Sequence, residues 1–205
     1  EFFVDNAKRV DGKLQATRNR SEVCQYFAFY FGVATRESHP KLWRTLARDF
    51  GPQRRETKAF PEVHPANQFV GNVLRLELLS QAGLCQQVAD EAFGYWLYMA
   101  DKTGTLWEND GDYASCNHGF ASHAIRVLNR DVLGLARVDP VKKEVELRFP
   151  DLKLDWCEGS LPTPEGRVEL RWRKDGDRLR YKLLMPAGYQ VNTTSRSGLE
   201  LVREP

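Results

Sequence analysis

Residues 139–149 read DPVKKEVELRF, and the spacing of apolar side chains changes within this stretch. From residue 144 onward, charged and apolar residues alternate, so that Val145, Leu147 and Phe149 fall on one side of an extended chain. A period of two is typical of a β-strand with one buried face. The stretch therefore predicts that strands follow a part of the chain that is organised differently.

The same alternation continues towards the C-terminus. It returns in residues 167–173 and again in residues 179–183, and the pair Asp175 and Gly176 between them is typical of a tight hairpin turn. Strands with one apolar face need a second layer to cover that face. We therefore predict that residues 139–205 form a small C-terminal antiparallel β-sandwich.

Towards the N-terminus the apolar spacing is helical, and residues 1–138 are predicted to be α-helical. Asn19 and Glu22 have the spacing of a capping box, which would open a helix that ends near Phe31. This helix is apolar nearly all round, so we expect it to be buried on more than one side.

Four further helices are predicted in this region. Pro40 and Pro65 suit the first position of two of them, and the second of these would end near Gly83. A fourth helix carries residues 88–100. The fifth runs from about residue 121 to 132, with Ile125 and Leu128 directed inward.

Composition excludes several classes of partner. The chain has 205 residues, of which 41% are hydrophobic and 28% charged, and a net charge of +2. This charge gives no strong field for nucleic acid, and no apolar run is long enough to span a bilayer. We therefore expect neither a nucleic-acid partner nor a membrane span.

The sequence offers no metal site. The four cysteines are widely separated, without a Cys-x-x-Cys pair, so a structural zinc site is not expected, and single buried thiols are favoured over disulfides. His118 and His123 are five residues apart, whereas two zinc ligands on one helix face are four apart.

Residues 103–119, TGTLWENDGDYASCNHG, form a long polar loop between two predicted helices. Loops joining packed helices are usually short, and long ones often carry function. Glu108 beside Trp107 suggests a sugar site, because an indole packs against the apolar face of a pyranose and a carboxylate transfers protons. The alternatives are that Glu108 is a surface acid and that Trp107 belongs to the core. For His118 and Asn117, the alternatives are that they contact a sugar and that they cap the next helix.

This loop resembles the loop that bears the catalytic base in bacterial α-L-rhamnosidases. Other stretches resemble the same family in order: residues 21–32 (SEVCQYFAFYFG), 65–72 (PANQFVGN), 155–160 (DWCEGS) and 164–168 (PEGRV). In the second of these, Asn67 and Asn72 either face the barrel axis or form hydrogen bonds along the helix. The resemblance covers nearly the whole chain.

The resemblance implies that residues 1–138 are part of an (α/α)6 catalytic barrel and that residues 139–205 are the family's C-terminal β-domain. It implies hydrolysis of terminal α-L-rhamnose with inversion and without a cofactor. Glu108 would be the catalytic general base, and Trp107, Asn117 and His118 would bind the substrate. The family's general acid lies upstream of every matching residue.

The partners expected are therefore a rhamnose-containing carbohydrate and the remaining N-terminal part of the same enzyme. The isolated chain would be inactive, and its uncovered helix faces would favour a homodimer. Two alternatives stay open. The chain could be a non-catalytic carbohydrate-binding or structural remnant, or part of a related (α/α)6 glycosidase that acts on another sugar.

Overall fold

The computed structural model describes residues 1–66 and 69–205, and these divide into two compact units. The first unit is Glu1–Ala82 with Glu91–Ser122, and the second is Gly83–Asp90 with His123–Pro205. Residues 123–133, which we assigned to the helical domain, thus group with the strands. The domain division at residues 138 and 139 stays a prediction.

The first unit is mainly helical. Its elements are β1 (Ala7–Val10), β2 (Lys13–Ala16), α1 (Glu22–Tyr30), α2 (Pro40–Arg48), α3 (Arg54–Thr57), α4 (Phe69–Gln81), most of α5 (Cys85–Thr103) and a 3₁₀ turn (Gly119–Ser122). The β1–β2 hairpin was not predicted. All of its strand residues are exposed, so it has no apolar face to produce a recognisable pattern.

The start of α1 differs from the prediction. The hydroxyl of Ser21 accepts a hydrogen bond of 3.2 Å from the backbone N–H of Cys24, so Ser21 is the N-cap. The capping box proposed for Asn19 and Glu22 is therefore wrong. The Glu22 carboxylate is drawn inward by a buried arginine instead of bonding the cap.

The helix α1 is buried on one side only. Tyr26 and Phe29 lie in the core, but Phe27 and Phe31 are 40% and 68% exposed. The predicted burial on more than one side is wrong for this chain, because α1 packs mainly against α4. Phe27 and Phe31 stack on each other at 5.8 Å on the uncovered side.

Two proline predictions have different outcomes. Pro40 is the first residue of α2, as predicted. Pro65 lies in the non-helical segment before α4, so the predicted helix start there is wrong. Asn67 lies outside the described residues. The predicted end near Gly83 is confirmed, since α4 ends at Gln81.

Two buried ion pairs hold the helices of the first unit together. Arg54 pairs with Glu22, whose other carboxylate oxygen accepts a bond of 2.8 Å from the Tyr26 hydroxyl. Arg75 donates to both carboxylate oxygens of Glu91, at 2.7 and 2.8 Å. Burial is the main cause that raises the pKa of Tyr26 well above its ordinary value, so this phenol stays a neutral donor.

The second unit begins with the first residues of α5 and with α6 (His123–Val127), which continues as a π-helical turn (Leu128–Leu133). Its strands are β3 (Leu135–Asp139), β4 (Glu144–Phe149), β5 (Trp156–Thr163), β6 (Gly166–Asp175), β7 (Arg178–Leu184), β8 (Gln190–Ser195) and β9 (Glu200–Arg203). One sheet has the order β3-β4-β8 and the other β5-β6-β7-β9. Residues from both sheets, including Val145, Phe149, Leu170 and Trp172, form one apolar core.

The sheets are mixed rather than antiparallel throughout. The strand β8 pairs in parallel with β4, and β9 pairs in parallel with β7. The chain passes from β7 in one sheet to β8 in the other and back to β9, and such crossovers produce parallel neighbours. The hairpin predicted at Asp175 and Gly176 is confirmed, with Asp175 opposite Arg178.

The predicted inward positions of the last helix are wrong. Ile125 and Leu128 are exposed, whereas Ala124 and Val127 are buried. We assumed one α-helical period from residue 121 to 132, but the chain changes from a 3₁₀ turn through α6 to a π-helical turn. Each change alters the number of residues per turn and so shifts which side chains point inward.

Candidate active-site loop

The loop between α5 and the 3₁₀ turn is closed on itself by backbone hydrogen bonds. The N–H of Glu108 donates to the carbonyl of Ser115 at 2.9 Å, and the N–H of His118 donates to that of Leu106 at 2.8 Å. The hydroxyl of Thr105 also donates to the carbonyl of Cys116. Residues 105–108 and residues 115–118 thereby form two arms that lie side by side. His118 pairs with Leu106, which is two residues before Glu108.

Both the backbone N–H and the backbone carbonyl of Glu108 form hydrogen bonds. Its carbonyl accepts a hydrogen bond of 2.9 Å from the N–H of Phe69, at the start of α4. The side chain is half-buried. Among the described residues, no group forms a hydrogen bond or ion pair with its carboxylate, which leaves the carboxylate lone pairs available to a ligand or to water.

Trp107 lies in the core of the first unit. It is 1% exposed, its indole N–H donates to the Thr103 hydroxyl at 2.7 Å, and its ring meets that of Tyr98 edge-on at 5.4 Å. Its backbone N–H also lies 3.4 Å from the sulfur of Met99. Of the two roles considered for Trp107, the structure favours packing that supports the neighbouring Glu108.

His118 and Asn117 lie at the end of the loop. The imidazole of His118 is half-buried and lies 6.5 Å from the ring of Phe120, while Asn117 is exposed. The carbonyl of His118 accepts a bond of 3.0 Å from the N–H of Ala121 and so begins the 3₁₀ turn. Asn117 and His118 thus belong to the arm of the loop that is hydrogen-bonded to the arm of Trp107 and Glu108.

Sequence reasoning missed the ion pair between Arg55 and Asp110, whose charged atoms are 2.8 Å apart. It ties the tip of the loop to α3, which has no apolar periodicity to predict it. A pocket of about 300 Å³ adjoins this pair and is also lined by Arg54 and Tyr95. Burial raises the pKa of Tyr95, so its hydroxyl remains a proton donor.

Within residues 1–66 and 69–205, no group of three or more His, Cys, Asp or Glu side chains is arranged to hold a metal ion. None of the helices in that part combines the length and apolar character that a bilayer crossing needs.

Known proteins are similar to most of the chain. Residues 134–194 match the family model of the bacterial alpha-L-rhamnosidase C-terminal domain. An alpha-L-rhamnosidase of Alteromonas sp. (strain LOR) is 26% identical over 213 residues, which cover 90% of this chain. The chain is similar to the C-terminal portion of bacterial α-L-rhamnosidases. The resemblance inferred from the sequence is thereby confirmed.

The fold also has a relative among solved structures. The GH78 family rhamnosidase of Bacillus sp. GL1 superposes with a TM-score of 0.76 over 94% of this chain, at 19% sequence identity. At this identity the likeness establishes the fold alone. The chain spans 23% of the Alteromonas rhamnosidase and 21% of the Bacillus one, so it corresponds to about a fifth to a quarter of these proteins.

Proposed function

We propose that this chain is part of an inverting glycoside hydrolase that releases terminal α-L-rhamnose from glycosides, with Glu108 as the general base. Its relatives are rhamnosidases by name, and their similarity reaches into the helical region as well as the strands. In this proposal, Glu108 removes a proton from the water that attacks the anomeric carbon.

The state of the Glu108 carboxylate carries this proposal. A general base must be held in place and must keep a lone pair free for the proton that it accepts. Backbone hydrogen bonds to Ser115 and Phe69 fix the residue, and no described side chain forms a hydrogen bond or ion pair with its carboxylate. Partial burial limits competing water around the group, which strengthens its interaction with a bound sugar.

The remaining residues of the loop are assigned supporting roles. Trp107 anchors the backbone at Glu108 through its buried ring, and any sugar contact that it makes is limited by this burial. His118 and Asn117 bind substrate hydroxyls, since both carry donors and acceptors and lie in the arm of the loop that is hydrogen-bonded to the arm of Glu108.

An inverting reaction needs a second carboxyl group, which protonates the leaving oxygen. The two groups are typically about 6.5–9.5 Å apart, which leaves room for the attacking water. We assign this acid to an N-terminal part of the same enzyme, which would also complete the (α/α)6 barrel begun by the helices of the first unit. Water forms its bond to the anomeric carbon as the glycosidic bond breaks, and the two carboxyl groups supply only the accompanying proton transfers, so no cofactor is required.

The test uses the complete enzyme, meaning this chain together with the upstream region that its gene encodes. The enzyme is mixed with an aryl α-L-rhamnoside, and the anomeric form of the first product is followed by ¹H NMR. Release of β-L-rhamnose first is expected. First release of the α-anomer would disprove inversion, and sugar binding without turnover would favour the non-catalytic alternative.

A further inference from the structure

The pocket beside Arg55 and Asp110 has the size and the lining of a small-ligand site. Its volume is about 300 Å³, and all of its lining belongs to the first unit. Ligand pockets of this size typically combine an apolar lining with a few polar groups that fix the ligand. The apolar part here includes three prolines, whose rings restrict the backbone, and two further residues: Pro52, Pro61, Pro65, Val63 and Ala66.

Tyr95 supplies a polar group that the protein leaves unused. The residue lines the pocket and is 5% exposed, and its hydroxyl forms no hydrogen bond with a described residue. Buried polar groups almost always have a partner. A phenol on the wall of a pocket obtains that partner from the molecule that fills the pocket, so Tyr95 favours a ligand that carries an acceptor.

Lys58 supplies a positive charge that no acid in the described part of the chain neutralises. It lines the same pocket, is exposed, and forms no ion pair with a described residue. Neighbouring Arg54 is already held by Glu22 and by three backbone carbonyls. Arg55 is paired with Asp110 through Nη2 alone, so the hydrogens on its Nε and Nη1 have no partner among the described residues.

The donors around the pocket therefore carry one uncompensated positive charge. This charge matches a carboxylate, which has a single negative charge, better than a phosphate monoester with its charge of nearly two. A guanidinium and an ammonium both bind carboxylate oxygens through strong charge-assisted hydrogen bonds. The apolar lining suits the C–H face of a sugar ring, and a uronic acid combines such a face with a carboxylate.

The pocket adjoins the segments that meet at the proposed base. Asp110 follows Glu108 by two residues, and Ala66 precedes Phe69 by three. The N–H of Phe69 donates to the carbonyl of Glu108, so both segments of the lining lead to this one contact. The pocket is thus placed to hold a further unit of a glycan whose terminal sugar lies at Glu108.

We propose that this pocket binds a uronic acid unit of the glycan that carries the terminal rhamnose. Lys58 and Arg55 bind its carboxylate, and the Tyr95 hydroxyl donates to one of its oxygens. This inference rests on the proposed function, since it names the class of glycan that the same site takes. None of the three residues touches the reacting atoms in this assignment, so all three act on specificity.

The experiment compares two substrates that differ only in their carboxyl groups. One is a trisaccharide with a terminal α-L-rhamnose followed by two D-glucuronate units, and the other is its carboxyl-reduced form, in which both units are glucose. The value of kcat/KM is measured for each with the complete enzyme and with its Lys58→Met and Tyr95→Phe variants. Lys41→Met, at an exposed position of α2, is the matched control.

We expect the wild type to prefer the acidic trisaccharide by at least about tenfold, because charge-assisted hydrogen bonds are stronger than neutral ones. Each of the two variants should reduce this preference at least about threefold and leave kcat/KM for the reduced trisaccharide unchanged. The melting temperature should also stay unchanged, since neither removed group has a partner in the described fold. The control should keep the full preference.

The outcomes that would overturn the inference are distinguishable from failure of the proposed function. If the wild type cleaves both trisaccharides equally well, or if both variants keep the preference, the inference alone fails. If the wild type cleaves neither, the proposed function fails. The affinities of the two trisaccharides, measured by isothermal titration calorimetry, then test the pocket separately, and equal affinities would refute it. A variant that melts earlier and loses activity on both substrates equally would assign its residue to the fold.

Discussion

The indole N–H of Trp107 donates to the hydroxyl of Thr103 at 2.7 Å, and so joins the residue before Glu108 to the last turn of α5. The ring is enclosed, whereas Thr103 is exposed, so the bond is partly buried. The conformation of the loop at Glu108 thus depends on how α5 ends.

Trp107→Phe should destabilise the chain. The substitution removes the donor to Thr103 and leaves a gap where the larger ring was, which together cost about 2–4 kcal/mol. Urea unfolding followed by circular dichroism at 222 nm would measure this loss. Trp156→Phe, at an exposed indole of β5, should change stability by less than about 0.5 kcal/mol. Equal losses in the two variants would contradict the anchoring role of Trp107.

Glu108→Gln should lower kcat of the complete enzyme by about a hundred- to ten-thousand-fold and leave KM nearly unchanged. The amide keeps the shape of the side chain but cannot take the proton of the attacking water. Steady-state kinetics with an aryl α-L-rhamnoside would measure both constants. Glu144→Gln, at an exposed position of β4, should leave both unchanged. A variant at position 108 with near wild-type kcat would show that the base is another residue.

Arg54→Met should be much more destabilising than Arg55→Met, although the residues are adjacent. Arg54 is buried, pairs with Glu22 and donates to the carbonyls of Ala59, Phe60 and Val63. Its loss leaves a buried carboxylate without its cation, which costs about 3–5 kcal/mol. The ion pair of Arg55 is half-exposed and contributes at most about 1 kcal/mol. Chemical unfolding of both variants would test the difference, and similar midpoints would refute it.

The isolated chain should self-associate through the uncovered side of α1. Phe27 and Phe31 stack there and are largely exposed, and such a patch is unfavourable in water. Phe27→Ser combined with Phe31→Ser should shift the chain towards a monomer in size-exclusion chromatography with light scattering. Leu14→Ser, at an equally exposed position of the β1–β2 hairpin, should leave the association unchanged. A wild-type chain that stays monomeric at high concentration would contradict the homodimer prediction.

The sequence predicts those parts of the fold in which apolar and charged residues follow a local pattern. Val145, Leu147 and Phe149 alternate with charged residues, and all three are buried as the alternation requires. The parallel pairing of β4 with β8 could not be read in this way, because it joins segments more than forty residues apart. The burial of Arg54 could not be predicted for the same reason, since its partner Glu22 is distant in sequence.

The candidate site was predictable only through its motif. The pairing of Trp107 with Glu108 and the length of the loop indicated a sugar site, and resemblance to a family assigned the roles. Two features of the loop depend on three-dimensional contacts instead: the bond from Phe69 to the carbonyl of Glu108, and the enclosure of the Asn109 side chain. No pattern of residue types around position 109 marks its oxygen as unpaired.

The π-helical turn of Leu128–Leu133 fixes the number of residues between α6 and β3. At its end, the carbonyl of Leu133 accepts a hydrogen bond of 2.9 Å from the indole of Trp172, and Gly134 follows with a φ of 94°. Inserting one residue, or deleting one while the turn stays π-helical, would shift every later residue by one position relative to α6. Leu133 would leave the core, and a residue with a side chain would take the left-handed position of Gly134. Insertions and deletions should therefore be tolerated in the exposed turn at Lys142 but not in the six residues before Gly134.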